Sequence, residues 1–287
     1  MEHRLPFLPA TYSRLMSNGL PQYDAPPVIE TVLSAQFAPL PSFTLAHAGW
    51  FWKNDLDKSW VSAAEAARLD DAFERFGDER VWKQHAIQLR PMGTESHRLQ
   101  ILRDDQERMI QVQNTRFIQN WRKREDGYPS YRKLMPEFEE HFARYQAFVK
   151  DAGLGEVDIN QWEVIYVNTI PKGELWNSPE DWQKIFPWLA APSVDRGHRL
   201  DSFGNAEWQF VVGPELGRLF VSLSHVKLGP SKDGQEAIKL QLTARGPVQP
   251  EKGMDLKRGF DTAHEVIVRS FTSMTSDAAH KHWKRRV

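Results

Sequence analysis

Residues Ala237 to Ala244 alternate without a break, with Ile238, Leu240 and Leu242 on one parity and Lys239, Gln241 and Thr243 on the other. A period of two sends successive side chains to opposite faces of an extended chain, so this segment demands a sheet with one dry face and one polar face. Trp162 to Ile170 is apolar on both parities, as a strand covered on both sides requires, and so takes a central position. Further strands are expected at Val28 to Phe37, Gln84 to Leu89, Arg98 to Leu102, Arg108 to Asn114, Trp208 to Val212 and Leu219 to Val226. Asp104-Asp105-Gln106 and Gly213-Pro214-Glu215-Leu216-Gly217 serve as hairpin turns.

Helices punctuate these strands. Ser62-Ala63-Ala64-Glu65 has the form of a capping box and predicts a helix to about Phe76, with Leu69, Phe73 and Phe76 inward. Leu134, Phe138, Phe142, Tyr145 and Val149 share a helical face, with Pro136 in its first turn or at a kink. Ser178-Pro179-Glu180-Asp181 opens a short helix, and Leu256, Phe260, His264, Ile267 and Phe271 mark a long one. Thr275, Ser276 and Asp277 cap a last turn with His280 and Trp283. Gly49-Trp50-Phe51-Trp52 fits a loop or a short strand. Residues 1–27 carry Pro6, Pro9, Pro21, Pro26 and Pro27 and form an extended arm.

The order strand, helix, three strands, helix therefore occurs twice, over residues 28–155 and 156–287. The fold class expected is α+β, an internal duplication of two similar β-α-β-β-β-α units within one joined body. Their antiparallel sheet or sheets carry the long helices on one face. One solution is a saddle like that of the TATA-binding-protein fold; the other is a helix-grip sheet around a cavity.

Composition narrows the chemistry. The 287 residues hold 37 Lys+Arg against 38 Asp+Glu, so binding nucleic acid over the whole surface is disfavoured, although a local basic patch is compatible. With no Cys, disulfides, thiol nucleophiles and cysteine-rich zinc modules are excluded. The proline-broken start lacks the apolar stretch of a signal peptide, and nowhere do 18 apolar residues run together. The expectation is a cytoplasmic protein without membrane contact.

Two regions offer binding chemistry. Collecting the polar parity of the strands gives Gln88, Arg90, Arg98, Gln100, Gln111, Gln113, Gln209, Ser222, Ser224, Lys239, Gln241, Thr243 and Arg245. They form a solvated face, or a concave surface for a polar or anionic ligand. In the second region, Arg116, Arg122, Lys123, Arg124, Arg132 and Lys133 outweigh Glu125 and Asp126, and Phe117, Trp121, Tyr128 and Tyr131 lie among them. Cations beside stackable rings suit single-stranded nucleic acid, while a solvated turn with core aromatics gives the same pattern. The binding residues inferred are Arg116, Trp121, Arg122, Arg124, Tyr128, Gln241 and Arg245. A weaker basic spot lies at Lys281, Lys284, Arg285 and Arg286. Trp50 and Trp52, like Trp121, have no assigned burial partner, whereas Trp162, Trp182 and Trp208 fall at core positions. Tyr166 and Asn168 share one face of a central strand and either bond a ligand or satisfy each other.

Catalytic signatures are sparse. No helical i, i+4 histidine pair, phosphate-cradling glycine loop or Gly-x-Ser-x-Gly elbow occurs, so no metal and no cofactor are implied. Asp277 and His280 sit one turn apart, read as a cap plus a surface histidine. The reading that follows is a non-enzymatic binding protein for a nucleic acid, an anionic ligand or a protein partner. The alternative is an enzyme with a non-standard His/Arg site, drawing on His85, His225 or His280, that cleaves RNA or a phosphoester.

Several tracts resemble a sporadically distributed, uncharacterised family of bacterial proteins of similar length. They are Pro26-Pro27-Val28-Ile29-Glu30 with Phe37 and Pro39-Leu40; Arg116-Phe117 with Asn120-Trp121; Tyr128-Pro129 and Tyr131; Trp162-Glu163-Val164 with Tyr166-Val167-Asn168; and Phe271-Thr272 with Thr275, His280 and Trp283. The resemblance implies a single evolutionary unit after the arm and transfers no activity. The family's patchy distribution implies mobile or defence-associated genes. A third reading is an interaction subunit whose partner is encoded by a neighbouring gene.

Overall fold

Among the described residues each strand finds an antiparallel neighbour, and the ladders join into one nine-stranded sheet. The computed structural model describes residues 19–76, 97–125, 127–190, 200–213, 215–229 and 234–286. In chain order the strands are β1 (Val28–Phe37), β2 (Trp60–Ala67), β3 (His97–Arg103), β4 (Arg108–Gln113), β5 (Arg116–Arg122), β6 (Ile159–Pro171), β7 (Asn205–Gly213), β8 (Gly217–Leu228) and β9 (Gln235–Pro247). Across the sheet they run β2-β3-β4-β5-β1-β6-β9-β8-β7. The α+β class is therefore correct, and the doubly apolar β6 lies beside β1 at the centre. The expected strand at Gln84 to Leu89 lies outside the described residues, with Gln88, Arg90 and His85.

Among the described residues five α-helices accompany the sheet: α1 (Leu45–Asp55), α2 (Tyr131–Asp151), α3 (Trp182–Ile185), α4 (Leu256–Met274) and α5 (Asp277–His282). Alternation decides which face they cover. Phe117 on β5 meets Phe138 and Phe142 of α2, and Phe51 of α1, at 5.4 to 6.4 Å between ring centroids. On β6, Trp162 meets Gly259 of α4, and Phe260 meets Phe138 edge-on at 5.0 Å. The long helices thus share one face of the sheet, and the main core lies beneath them.

The Trp162 indole sets how closely α4 approaches. It is fully buried, and a Cβ added to Gly217, Gly246 or Gly259 would overlap its atoms. Glycines from β8, β9 and α4 therefore form the walls of its slot.

Four expectations are corrected. The capping-box sequence at Ser62 does not start a helix: it lies within β2, which pairs with β3, and residues 68–76 continue as extended chain. Inter-strand pairing there outweighs a signal that is only local. Gly49 to Trp52 belongs to α1, capped by Thr44. Arg116 to Arg122 is a strand, not part of a turn. His280 is buried, with Nε2 2.8 Å from Thr275 Oγ1, because α5 folds back against the core; it is not a surface histidine. Pro136 stands in the second turn of α2, and Trp208 is only partly buried.

Candidate functional site

The register puts Arg98, Gln100, Gln111, Gln113, Gln209, Ser222, Ser224, Lys239, Gln241, Thr243 and Arg245 on one face, opposite the helices. Arg116, Asn120 and Arg122 join them, as do Gln36, Gln161, Glu163 and Arg218. The face is not the fully wet surface expected. Gln111, Gln113, Arg116 and Thr243 are buried. Neighbours meet most of their polar groups, as burial requires, although the Arg116 Nε has no hydrogen-bond partner among the described residues.

Two rows of interactions cross the strands. In the first, Gln100 Nε2 donates to Gln111 Oε1 at 3.0 Å, Gln111 Nε2 to Asn120 Oδ1 at 2.8 Å, and Asn120 Nδ2 to Glu30 Oε1 at 2.7 Å. This amide ladder spans β3, β4, β5 and β1. The second row holds the extended segment 68–76, a strap lying over the sheet. Leu69 N donates to Gln113 Oε1, and Gln113 Nε2 returns a bond to Leu69 O, both at 3.0 Å. The amide of Ala72 donates to Gln36 Oε1 at 2.8 Å, and that of Glu74 to Gln161 Oε1 at 3.3 Å. Glutamines therefore read the strap's main chain where a helix would have used its own carbonyls.

The strap's carboxylate completes a chain of charges. Arg218 Nε donates to Glu74 Oε2 at 2.9 Å and Arg245 Nε to Glu74 Oε1 at 2.8 Å. Arg245 also bonds Glu163 at 3.1 Å, and Glu163 holds Arg116 at 3.2 Å. Burial lowers the pKa of Arg116, with Glu163 opposing that shift. A second Arg218 bond reaches Arg75 O, and Arg116 donates to Asp70 O.

The inferred binding residues are thereby sorted. Arg116 and Arg245 meet in this charge chain. Gln241, half-buried on β9, donates to Thr243 Oγ1. Trp121 is only 1% exposed on the helix side and is unavailable for stacking on a base. Arg122 is half-buried at the end of β5, and Arg124 is exposed and donates to Gln106 O. Cations and rings interleave along β5 because they occupy opposite faces of one strand. They do not form a shared basic–aromatic surface. The Trp52 indole donates to Trp60 O, and Trp50 is half exposed.

A second site lies under the helices. A cavity of about 380 Å³ is bounded by residues 20–26, β6, the start of α2 and α4. The arm residues are tied to the chain's other end: Tyr23 bridges Arg285, Arg286 N donates to Gln22 O, and Tyr23 Oη lies 2.9 Å from Thr272 Oγ1. Asp24 pairs with Arg286, which absorbs part of the basic C-terminal run. Tyr166 and Asn168 both line the cavity. Asn168 donates to Leu240 O, Tyr128 donates to Tyr166 at 2.9 Å, and Tyr166 Oη is 2.8 Å from His264 Nδ1. Tyr131 stacks on His264 at 4.2 Å and donates to Asp261. Sequence reasoning placed His264 only on a helix face and missed this relay, whose members come from three separate elements.

Burial fixes the protonation states. It pushes Tyr128 up to about 12 and Tyr166 well above its ordinary value, so both phenols stay protonated at neutral pH. It lowers His264 to about 4, with the Arg132 charge acting the same way and Asp261 opposing. Because the folded value lies below that of a free histidine, the unfolded chain binds the proton first as pH falls. Stability from neutral His264 is full above about pH 6.5 and is lost towards pH 4. In urea titrations the native protein should lose about 2–3 kcal/mol more than His264→Gln between pH 7 and pH 4.5. Equal losses would mean the imidazole is hydrated.

His225 and His280 do not converge on one site. His225 Nδ1 lies 3.0 Å from Ser202 Oγ inside a ring of Trp176, Trp182 and Phe203, whereas His280 contacts Thr275. Among the described residues no group of three or more His, Asp or Glu could hold a metal ion, and no helix is long and apolar enough to cross a membrane. No protein-family model matches the sequence, and no curated protein is significantly similar to it.

Proposed function

We propose that this is a non-enzymatic binding protein whose polar sheet face holds an extended, carboxylate-bearing segment of a protein partner. One observation carries the reading: the face already receives such a segment from the same chain. Gln113, Gln36 and Gln161 bind the strap's amides, and Arg218 with Arg245 grips its carboxylate. Main-chain recognition by side-chain amides tolerates varied sequence, and paired guanidiniums select an acid. Single-stranded nucleic acid fits less well, because the aromatic residues that would stack its bases lie in the core.

The proposal extends to the origin of the face. Strand order reads outward from β1 and β6 in both directions. In each half the last strand of a meander returns to pair with the first, and a long helix follows. This supports two related units forming a saddle; the resemblance of the sequence tracts to the patchily distributed bacterial family is the basis for proposing a cytoplasmic, defence-associated role.

The test uses a variant in which residues 68–76 are replaced by Gly and Ser, with the peptide Arg-Leu-Asp-Asp-Ala-Phe-Glu-Arg-Phe supplied in trans. Saturable, salt-sensitive stabilisation by the peptide is expected, and none when its Glu becomes Gln. In parallel, labelled acidic peptides and an oligothymidylate are titrated against the native protein. Preference for the oligothymidylate, or no peptide effect on a folded variant, rejects the reading.

A further inference from the structure

We infer that the cavity between residues 20–26 and α4 is a binding site for a small aromatic carboxylic acid bearing a second hydrogen-bond acceptor. The site is separate from the polar sheet face and independent of the function proposed for that face. Its volume, about 380 Å³, lies in the range of small-molecule pockets. Apolar side chains, among them Leu242, Ile267, Val268 and Phe271, supply its walls, and tyrosines supply flat faces. Such a lining favours a ring over a flexible polar chain.

Two polar features fix the ligand's chemistry. The first is a donor. Tyr128 donates to Tyr166, so the Tyr166 proton goes to His264 Nδ1, and the neutral imidazole keeps its own proton on Nε2. That N–H has no hydrogen-bond partner among the described residues, although His264 lines the cavity. It asks for an acceptor. The second feature is a cation. Of the charged lining residues, Asp24 and Arg286 neutralise each other, while the exposed Arg132 makes no ion pair or hydrogen bond with a described residue. It asks for a carboxylate at the mouth. Beside Arg132, Ser130 also lines the cavity and holds φ 69°, ψ 151°, a conformation that costs a non-glycine residue strain. Strain kept at a cavity wall fits a surface shaped for a ligand.

The probe is 6-hydroxy-2-naphthoate, titrated into the full chain by calorimetry, with 2-naphthol as the uncharged control. Saturable binding of one probe per chain is expected. Arg132→Glu should weaken the naphthoate at least ~10-fold, about 1.4 kcal/mol, and leave 2-naphthol unchanged. Val268→Trp should abolish both by filling the space. Arg132 is exposed, so its variant tests the site even if the filled variant fails to fold. No saturable binding up to ~1 mM, the weak end of specific affinity, overturns the inference. So does naphthoate binding that Arg132→Glu leaves untouched.

Discussion

Replacing Glu74 by Gln is expected to lower the unfolding free energy by about 3–5 kcal/mol, the range for breaking a buried ion pair from one side. Its side chain is 5% exposed, between Arg218 at 6% and Arg245 at 20%. With Glu74 neutral, Arg218 would lose its carboxylate partner, and Arg245 would be left to share Glu163 with Arg116. Coulomb repulsion and desolvation then act together, because little water reaches these groups to screen them. The exposed pair Lys252 with Glu215 provides the contrast, and Glu215→Gln should cost under ~1 kcal/mol. Urea unfolding of both variants measures the difference. Adding Arg218→Met to Glu74→Gln should restore part of the loss, since it removes the stranded cation. A loss under ~1 kcal/mol for Glu74→Gln would show that the strap's charge is effectively solvated.

The Trp162 slot gives the second large effect. Trp162→Ala should cost about 3–5 kcal/mol through lost transfer energy and an unfilled cavity, and it leaves the Pro247 carbonyl without the indole donor. More diagnostic is Gly259→Ala. Helix propensity alone favours Ala over Gly by about 1 kcal/mol, yet the new methyl would overlap Trp162 and push α4 off the sheet. Overpacking of this kind costs about 1–3 kcal/mol, so a net loss is expected despite the better helix former. Thermal unfolding decides the sign. The double variant Trp162→Phe with Gly259→Ala should be more stable than Trp162→Ala. If Gly259→Ala stabilises the protein, the contact between α4 and Trp162 is looser than the structure indicates.

The two polarities of the sheet were readable in advance because period-two alternation depends only on backbone geometry. Every polar-parity residue named from the sequence and described in the structure falls on the face opposite the helices. What covers that face was not readable. The strap's local pattern, with Leu69, Phe73 and Phe76 at helical spacing, points to a helix, and residues 68–76 gain their actual place from Gln36, Gln113, Gln161, Arg218 and Arg245, which lie far away in the chain. Similarly, β5 was missed because its alternation of Arg116, Phe117, Asn120, Trp121 and Arg122 resembles a binding patch as well as a strand. Only pairing with β1 and β4 distinguishes the two. The relay of Tyr128, Tyr166 and His264 carries no local signature, since its members are 38 and 98 residues apart.

The strap also separates what holds the protein together from how quickly it can be assembled. Its bonds to Arg218 and Arg245 span 144 and 171 residues, whereas most ladders of the sheet join strands from the same half of the chain. Loop-closure entropy rises only with the logarithm of length, about 0.6 kcal/mol per doubling, so so long a span adds little to the free energy of the folded state. It adds far more to the search. The two Arg–Glu74 bonds form only when strands from both halves already stand side by side, which places the fastening of the strap late in folding.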